Sequence, residues 1–271
     1  MGFDEIRPYW SGLYNQKIFF SYDRCLECGL LFCSRFFTAE QLTDLYAAMS
    51  PNMEDVTTDA LTATQHGYFA AARKAVPMTG GYLEIGPDVG FIVKRAAEQG
   101  HFEHFWLFEP NRAVHQALAA ATGGKSCTIS ENMSDLSAVP DGSIGWAVAI
   151  QVLDHLLDPI ATLRQIRSKL RPGGALIIVA HNEGSLLRHL MSGRWPPFCL
   201  QHPQLFNPAS IRVTLGRAGF DKVVVTRSVN YFPLGFMVRQ AAHAVRLDLR
   251  KLPLPSVSIG LKLGNMIVVA S

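Results

Sequence analysis

No apolar run in this chain of 271 residues reaches the ~18–20 residues that cross a bilayer, so no membrane-spanning helix is expected. Charge is scarce too. Only 17% of residues are Asp, Glu, Lys or Arg, and the net charge of +3 is scattered, which gives no case for nucleic acid or an anionic membrane surface as partner. The five cysteines, an odd number with only Cys25, Cys28 and Cys33 close together, do not form a secreted disulfide framework. The first ten residues include Asp4, Glu5 and Arg7 and lack an apolar signal core, so the expected compartment is the cytoplasm. Internal repeats and low-complexity tracts are absent. What is present is 48% apolar residues, enough at this length for one substantial core and a small appendage.

Residues 1–50 form a distinct N-terminal extension, with Cys25-Leu26-Glu27-Cys28-Gly29 followed by an apolar run and a helix from Thr38. Thr38 and Gln41 have capping-box spacing, placing a hydroxyl and an amide oxygen against the free N–H groups of a first turn. Residues 51–79 read as a helical connector. From residue 80 to 271 strands alternate with helices: strands at Tyr82–Gly86, Phe105–Phe108, Cys127–Ile129, Ile144–Ile150 and Ala175–Ala180, and helices at Phe91–Gln99 and around Ala113–Ala121. Asp158-Pro159 and Asn207-Pro208 each pair an N-cap residue with proline in the first helical position. The alternation predicts an α/β fold, a doubly wound, Rossmann-like parallel sheet with helices on both faces. Ligands bind such sheets beyond the carboxyl ends of the strands, where strand order reverses.

The first strand–helix turn reads Glu84-Ile85-Gly86-Pro87-Asp88-Val89-Gly90. Gly86 permits a tight turn and close approach to a ligand, and Gly90 opens the helix. Glu109, with Pro110 after it, ends the next strand, where a carboxylate can accept from both hydroxyls of a ribose. A dinucleotide site would use the same places. Its fingerprint is G-x-G-x-x-G, however, whereas the glycines here are spaced G-x-x-x-G after an acid.

This turn is closer to the acidic-x-G-x-G-x-G turn of the class I S-adenosylmethionine (SAM)-dependent methyltransferases, and the resemblance continues in order along residues 80–270. Asn132-Met133 resembles the pair that the family sets against adenine. Pro140-Asp141-Gly142-Ser143 resembles its P-D-G-S-F-D segment, and Gln151-Val152-Leu153-Asp154-His155-Leu156-Leu157-Asp158-Pro159 its V-L-E-H-L-x-D-P stretch. Arg171-Pro172-Gly173-Gly174 is similar to the K-P-G-G turn. The segment from Gln201-His202-Pro203 through Phe206-Asn207-Pro208 to Ala218-Gly219-Phe220 is similar to the H-x-x-x-F-(S/T)-P … A-G-F pattern of a subgroup acting on small molecules and glycan precursors. The departure is Asp88, with Pro87 before it, where the family has its middle glycine.

The resemblance implies about seven strands, mostly parallel with an antiparallel last strand, and a cap over 184–207. It implies SAM, released as S-adenosylhomocysteine, held by Glu84, Ile85, Gly86, Pro87, Asp88, Gly90, Glu109, Pro110, Asn132, Met133, Gln151 and Val152. The acceptor would be a small molecule or glycan precursor, methylated on oxygen by default, since no N-P-P-Y-like tetrapeptide follows the fourth strand. His202 is the first choice of general base, with His155 and His181 as alternatives. Each could equally serve only to brace its loop. Cys25 and Cys28 resemble half of an N-terminal zinc ribbon whose other half is missing. Cys33 or His66 could substitute, but no metal is expected. Two rivals stand beside the enzyme: an inactive methyltransferase-like binding module, and a nucleotide-dependent oxidoreductase. The sequence gives no handle on oligomeric state.

Overall fold

Local signals set the helix ends in the computed structural model, which describes residues 3–10, 18–47, 58–235, 238, 257–262 and 264–271. The N-terminal segment carries α1 (Phe3–Ile6), β1 (Asp23–Arg24), β2 (Leu31–Phe32), α2 (Ala39–Ala47) and α3 (Thr58–Ala75). There follow β3 (Thr79–Ile85), α4 (Phe91–Gln99), β4 (His101–Phe108), α5 (His115–Ala121), β5 (Cys127–Ser130), β6 (Ile144–Ile150), α6 (Pro159–Lys169) and β7 (Leu170–His181). The chain continues through α7 (Leu186–Met191), β8 (Gln204–Leu205), α8 (Pro208–Arg217), β9 (Val223–Arg227), β10 (Asn230–Pro233), β11 (Ser258–Leu261) and β12 (Asn265–Ala270).

The Thr38–Gln41 capping box forms, with Thr38 N donating to Gln41 Oε1 at 2.9 Å and Gln41 N to Thr38 Oγ1 at 3.3 Å. Asp158 accepts from Ala161 N at the head of α6, and Asn207 accepts from Ala209 N and Ser210 N at the head of α8. The expected connector over 51–79 is helical from residue 58, while 51–57 lie outside the described residues. Among the described residues, no helix is long and apolar enough to cross a membrane.

Seven strands form the central sheet in the order β5-β4-β3-β6-β7-β12-β9. All pairs from β5 to β7 are parallel, and β12 runs antiparallel to both its neighbours. The last strand is therefore antiparallel, as the resemblance implies. Alternate residues divide between two cores. Leu83, Ile85, Ala147, Ala149, Leu176 and Ile178 pack on one face, and Tyr82, Trp146, Val148, Ile177 and Val179 on the other. Burial on both faces explains why these strands read as continuous apolar runs rather than alternating ones.

The strands outrun their predicted limits at glycines. Gly80 and Gly81, read as a break, lie inside β3, where the register shifts and Gly80 takes φ +83°. Gly100 does not stop α4 in the left-handed region. It is extended (φ −99°, ψ 158°) and feeds directly into β4. Arg171–Gly174 is an excursion inside β7, between the Ile144–Leu170 and Trp146–Ala175 pairings. The β10–β11 pair between β9 and β12 had no sequence signal.

The N-terminal segment is sewn to the region after β7. β2 pairs with both β1 and β8. Leu31, Trp195, Phe198 and Leu205 share one small core, and Trp10, Phe37, Leu42, Leu45 and Leu200 another. Glu183, buried, accepts from Arg24 Nη1 and Asn207 Nδ2, each at 2.8 Å, which relieves the cost of hiding a carboxylate.

Candidate functional site

Strand order reverses between β3, whose next strand β4 lies on one side, and β6 on the other. The Glu84–Gly90 turn occupies this switch point. Gly86 takes φ +65° and donates to Phe108 O at 2.8 Å, and Gly90 takes φ +80° as the residue preceding α4. A Cβ on Gly86 would lie 2.6 Å from Val152 Cγ2, and one on Gly90 would lie 3.0 Å from both Ala121 Cβ and Leu118 Cδ1. Both positions demand glycine for backbone angle and for space.

Glu109, at the end of β4, locks the turn from the side. Its Oε2 accepts from Asp88 N and its Oε1 from Asn111 N, both at 2.9 Å. Each oxygen retains a lone pair for a further donor. Glu84 is buried at the end of β3 and accepts from Tyr82 Oη at 2.5 Å. Tyr82, two residues earlier on the same strand face, is a partner the sequence reading missed although the period of two could have shown it.

Three carboxyl groups thus gather around one turn, and none has a cationic side chain among its described hydrogen-bond partners. Burial, then Glu109, pushes Glu84 up to about 8 and Asp88 up to about 6, and burial raises Glu109 itself. With no cation beside them, these carboxyls offer an anionic pyrophosphate no partner, whereas a ligand bringing hydroxyl donors or a positive charge would relieve their crowding. A sulfonium nucleoside brings both, so the residues present fit SAM.

Asp88 sits at φ +51°, a region that disfavours side chains with a Cβ, though aspartate tolerates it better than most. Its carboxyl is held above its ordinary value of 3.8, so it favours folding below that value and becomes a burden as pH rises through about 6. We expect Asp88→Gly to raise Tm by roughly 2–5 °C at pH 8 and by less at pH 5. Thermal melts at the two pH values check this, and an equal gain at both would assign the effect to the backbone alone.

The other residues expected to hold the cofactor differ in burial. Ile85 and Val152 are buried in the core, and Pro87 is buried within the turn. Pro110 follows Glu109 and is half-buried. Gln151 ends β6 at φ +52°, with its N–H donating to Val179 O at 2.7 Å. Asn132 is exposed and turns its side chain back to accept from Ser134 N at 3.0 Å, while Met133 packs against the core.

The three histidines named from sequence meet. His155 lies in the turn after β6, His181 at the end of β7, and His202 just before β8. His155 Nε2 is 3.1 Å from His202 Nε2, and the rings of His181 and His202 are 5.2 Å apart between centroids. At their centre is Asp154, fully buried, with one oxygen 3.9 Å from His181 Nε2. Asp154 was quoted in the motif around His155 but not picked as a site residue. Burial and the neighbouring His202 hold His155 down to about 3. At His202 burial is outweighed by Cys199, 3.3 Å from Nδ1, and by Asp154, so its pKa rises to about 9. Tyr46 from the N-terminal segment reaches His155 Nδ1 at 3.1 Å, and Tyr22 Oη donates to His202 O at 2.7 Å.

The aromatics around the 184–207 segment are packed: Phe206 lies in the main core, and Trp195 and Phe198 pack on Leu31 and Leu205. The Cys25–Gly29 turn forms, with Gly29 N donating to Cys25 O at 2.9 Å and Gly29 at φ +75°. Among the described residues, no third metal-ligating side chain joins Cys25 and Cys28.

A family model described as a methyltransferase domain matches residues 60–225. No curated protein matches the chain. Among solved structures, a SAM-dependent methyltransferase of Thermotoga maritima, described as a possible histamine N-methyltransferase, is similar at TM-score 0.53 and 15% identity. That match covers 78% of this chain and 90% of the other. An S-adenosylmethionine-dependent methyltransferase of Mesorhizobium loti is similar at 0.50 and 15%, covering 74% and 96%. The YcgJ protein of Bacillus subtilis gives 0.53 and 12%, covering 76% and 97%. At these identities the likeness is one of fold.

Proposed function

The chain belongs to the SAM-dependent methyltransferase-domain family, and on that premise we propose that it methylates an oxygen of a small-molecule or glycan-precursor acceptor. The observation carrying this reading is the glycine turn at the switch point with Glu109 beside it, its two oxygens holding Asp88 N and Asn111 N at 2.9 Å and keeping lone pairs for ribose hydroxyls.

Glu109 would accept from the ribose hydroxyls with the lone pairs left over from Asp88 N and Asn111 N. Gly86 and Gly90 would let backbone approach the cofactor closely, and Asn132-Met133 and Gln151 would flank it. SAM supplies an electrophilic methyl group on sulfur, and the protein's part is to align an acceptor with it and manage the acceptor's proton. The cluster of Asp154, His155, His181 and His202 stands at the ends of β6 and β7, on the edge of the sheet where the turn also lies. His181 keeps 16% of its side chain exposed and has the Asp154 carboxylate beside Nε2, so it is the member placed to take a proton from an incoming hydroxyl.

A second reading, a methyltransferase-like binding module without turnover, draws on one feature: Asp88 stands where the family has glycine. Calorimetric titration with SAM, S-adenosylhomocysteine and NAD tests both. We expect micromolar binding of the two sulfur compounds and none of NAD. Failure to bind either sulfur compound sinks the enzyme reading, and binding without turnover across hydroxyl acceptors would favour the module.

A further inference from the structure

Every imidazole in the histidine cluster turns one nitrogen outward to a partner and the other inward. His202 Nδ1 lies 2.6 Å from Pro197 O and so donates to it, which leaves Nε2 as the nitrogen that offers a lone pair once its own proton is displaced, as metal binding requires. His181 Nδ1 lies 3.1 Å from Asn265 Oδ1, an acceptor, which fixes the same tautomer with Nε2 facing Asp154. Asp154 is wholly buried, yet neither of its carboxylate oxygens has a hydrogen-bond partner among the described residues. A buried carboxylate is ordinarily paired or ligated, because its desolvation otherwise costs several kcal/mol. One ligand atom from each of Asp154, His181 and His202 lies within 4.8 Å of the others. Ligands at the ~2.0–2.2 Å usual for tetrahedral zinc stand about 3.3–3.6 Å apart, so side-chain shifts of about 1 Å bring all three onto one ion.

We propose that Asp154, His181 and His202 bind a divalent transition-metal cation. Two imidazoles and a carboxylate suit zinc or iron(II) and not magnesium, which prefers an all-oxygen shell. The carbonyl of Pro197 and the side chain of Asn265 are the outer partners that orient the ligating rings. His155 Nε2, 3.1 Å from His202 Nε2, stands beside the triad rather than in it. A fourth position is thereby left for His155, water or an acceptor oxygen. The four segments that meet here, the turn after β6, the end of β7, residues 197–202 and Asn265 at the start of β12, are distant in sequence, and the ion would cross-link them. The site stands on its ligands. Only its use, acidifying an acceptor hydroxyl by coordination in place of proton transfer to free His181, rests on the methyltransferase reading.

The test uses the full chain, stripped with chelator and titrated with Zn²⁺ against a chromogenic competitor, and separately loaded with Co²⁺ for visible spectroscopy. One equivalent should bind, and Co²⁺ should give d–d bands without a thiolate charge-transfer band. Asp154→Asn and His181→Gln should each weaken Zn²⁺ binding by more than the roughly 10–100-fold that loss of an outer partner costs. Cys25→Ser/Cys28→Ser should leave it unchanged. If Asp154→Asn fails to fold, His181→Gln, at the less buried of these positions, carries the test. The proposal is overturned by folded wild-type protein that takes up no stoichiometric zinc, by binding that survives both ligand variants, or by a thiolate band that moves the metal to the cysteines. A SAM titration of the same samples keeps the two proposals separate, since SAM binding without zinc sinks only the metal.

Discussion

Replacing Glu109 with alanine is expected to weaken SAM binding by roughly 100- to 10,000-fold. Hydrogen bonds to a charged group each contribute about 1.5–3 kcal/mol, and a carboxylate facing two ribose hydroxyls would lose two of them. The change also frees Asp88 N and Asn111 N, which Glu109 holds at 2.9 Å, so part of the loss would come from a slackened turn. Glu109→Gln separates the contributions. An amide oxygen can still hold one of those N–H groups, but the acceptor pair and its charge are gone, so affinity should fall while Tm stays within about 2 °C of wild type. Calorimetry with parallel melts reads both quantities. Affinity within tenfold of wild type in Glu109→Ala would remove Glu109 from the cofactor site.

Gly86→Ala should destabilise the protein by about 2–4 kcal/mol and lower Tm by roughly 5–10 °C. Two costs add. Alanine at φ +65° is strained by its own Cβ, and that Cβ would lie 2.6 Å from Val152 Cγ2. Val152→Ala in the same chain removes the second cost and not the first, so the double variant should recover part of the loss relative to Val152→Ala alone. Full additivity in this cycle would show that Val152 moves aside freely and that only backbone strain matters. On the proposed cofactor site, SAM binding should fall in the single variant as well.

The switch-point turn was legible because its chemistry is local. A strand, a glycine turn and a helix follow one another within Glu84–Gln99, and an acid at the next strand end completes the pattern; the register that pairs Ile85 with Phe108 then brings Glu109 beside Asp88. The helix caps at Thr38, Asp158 and Asn207 were legible for the same reason, since each is a side chain bonding its own next turn. Strand limits were less so, because glycine was read as a stop. At Gly80 and Gly173 the chain bulges and continues pairing, a choice made by the neighbouring strand, whereas α4 does end at Gly100.

The histidine cluster shows the opposite case. His155, His181 and His202 could each be named from its neighbours in sequence, but nothing there says that they touch. The sheet decides it: Gln151 N bonded to Val179 O sets the turn bearing Asp154 and His155 against the end of β7, and β8 pairing with β2 brings His202 down between them. Tyr46 joins only through the packing of the N-terminal segment. By itself the sequence determined the fold class, the family and the place of the glycine turn at the switch point, because periodicity, caps and turn glycines act within a few residues. Only the tertiary structure decided that a buried, unpaired Asp154 faces two oriented imidazoles, because hydrogen bonds and packing between distant segments place those atoms and leave no pattern along the chain.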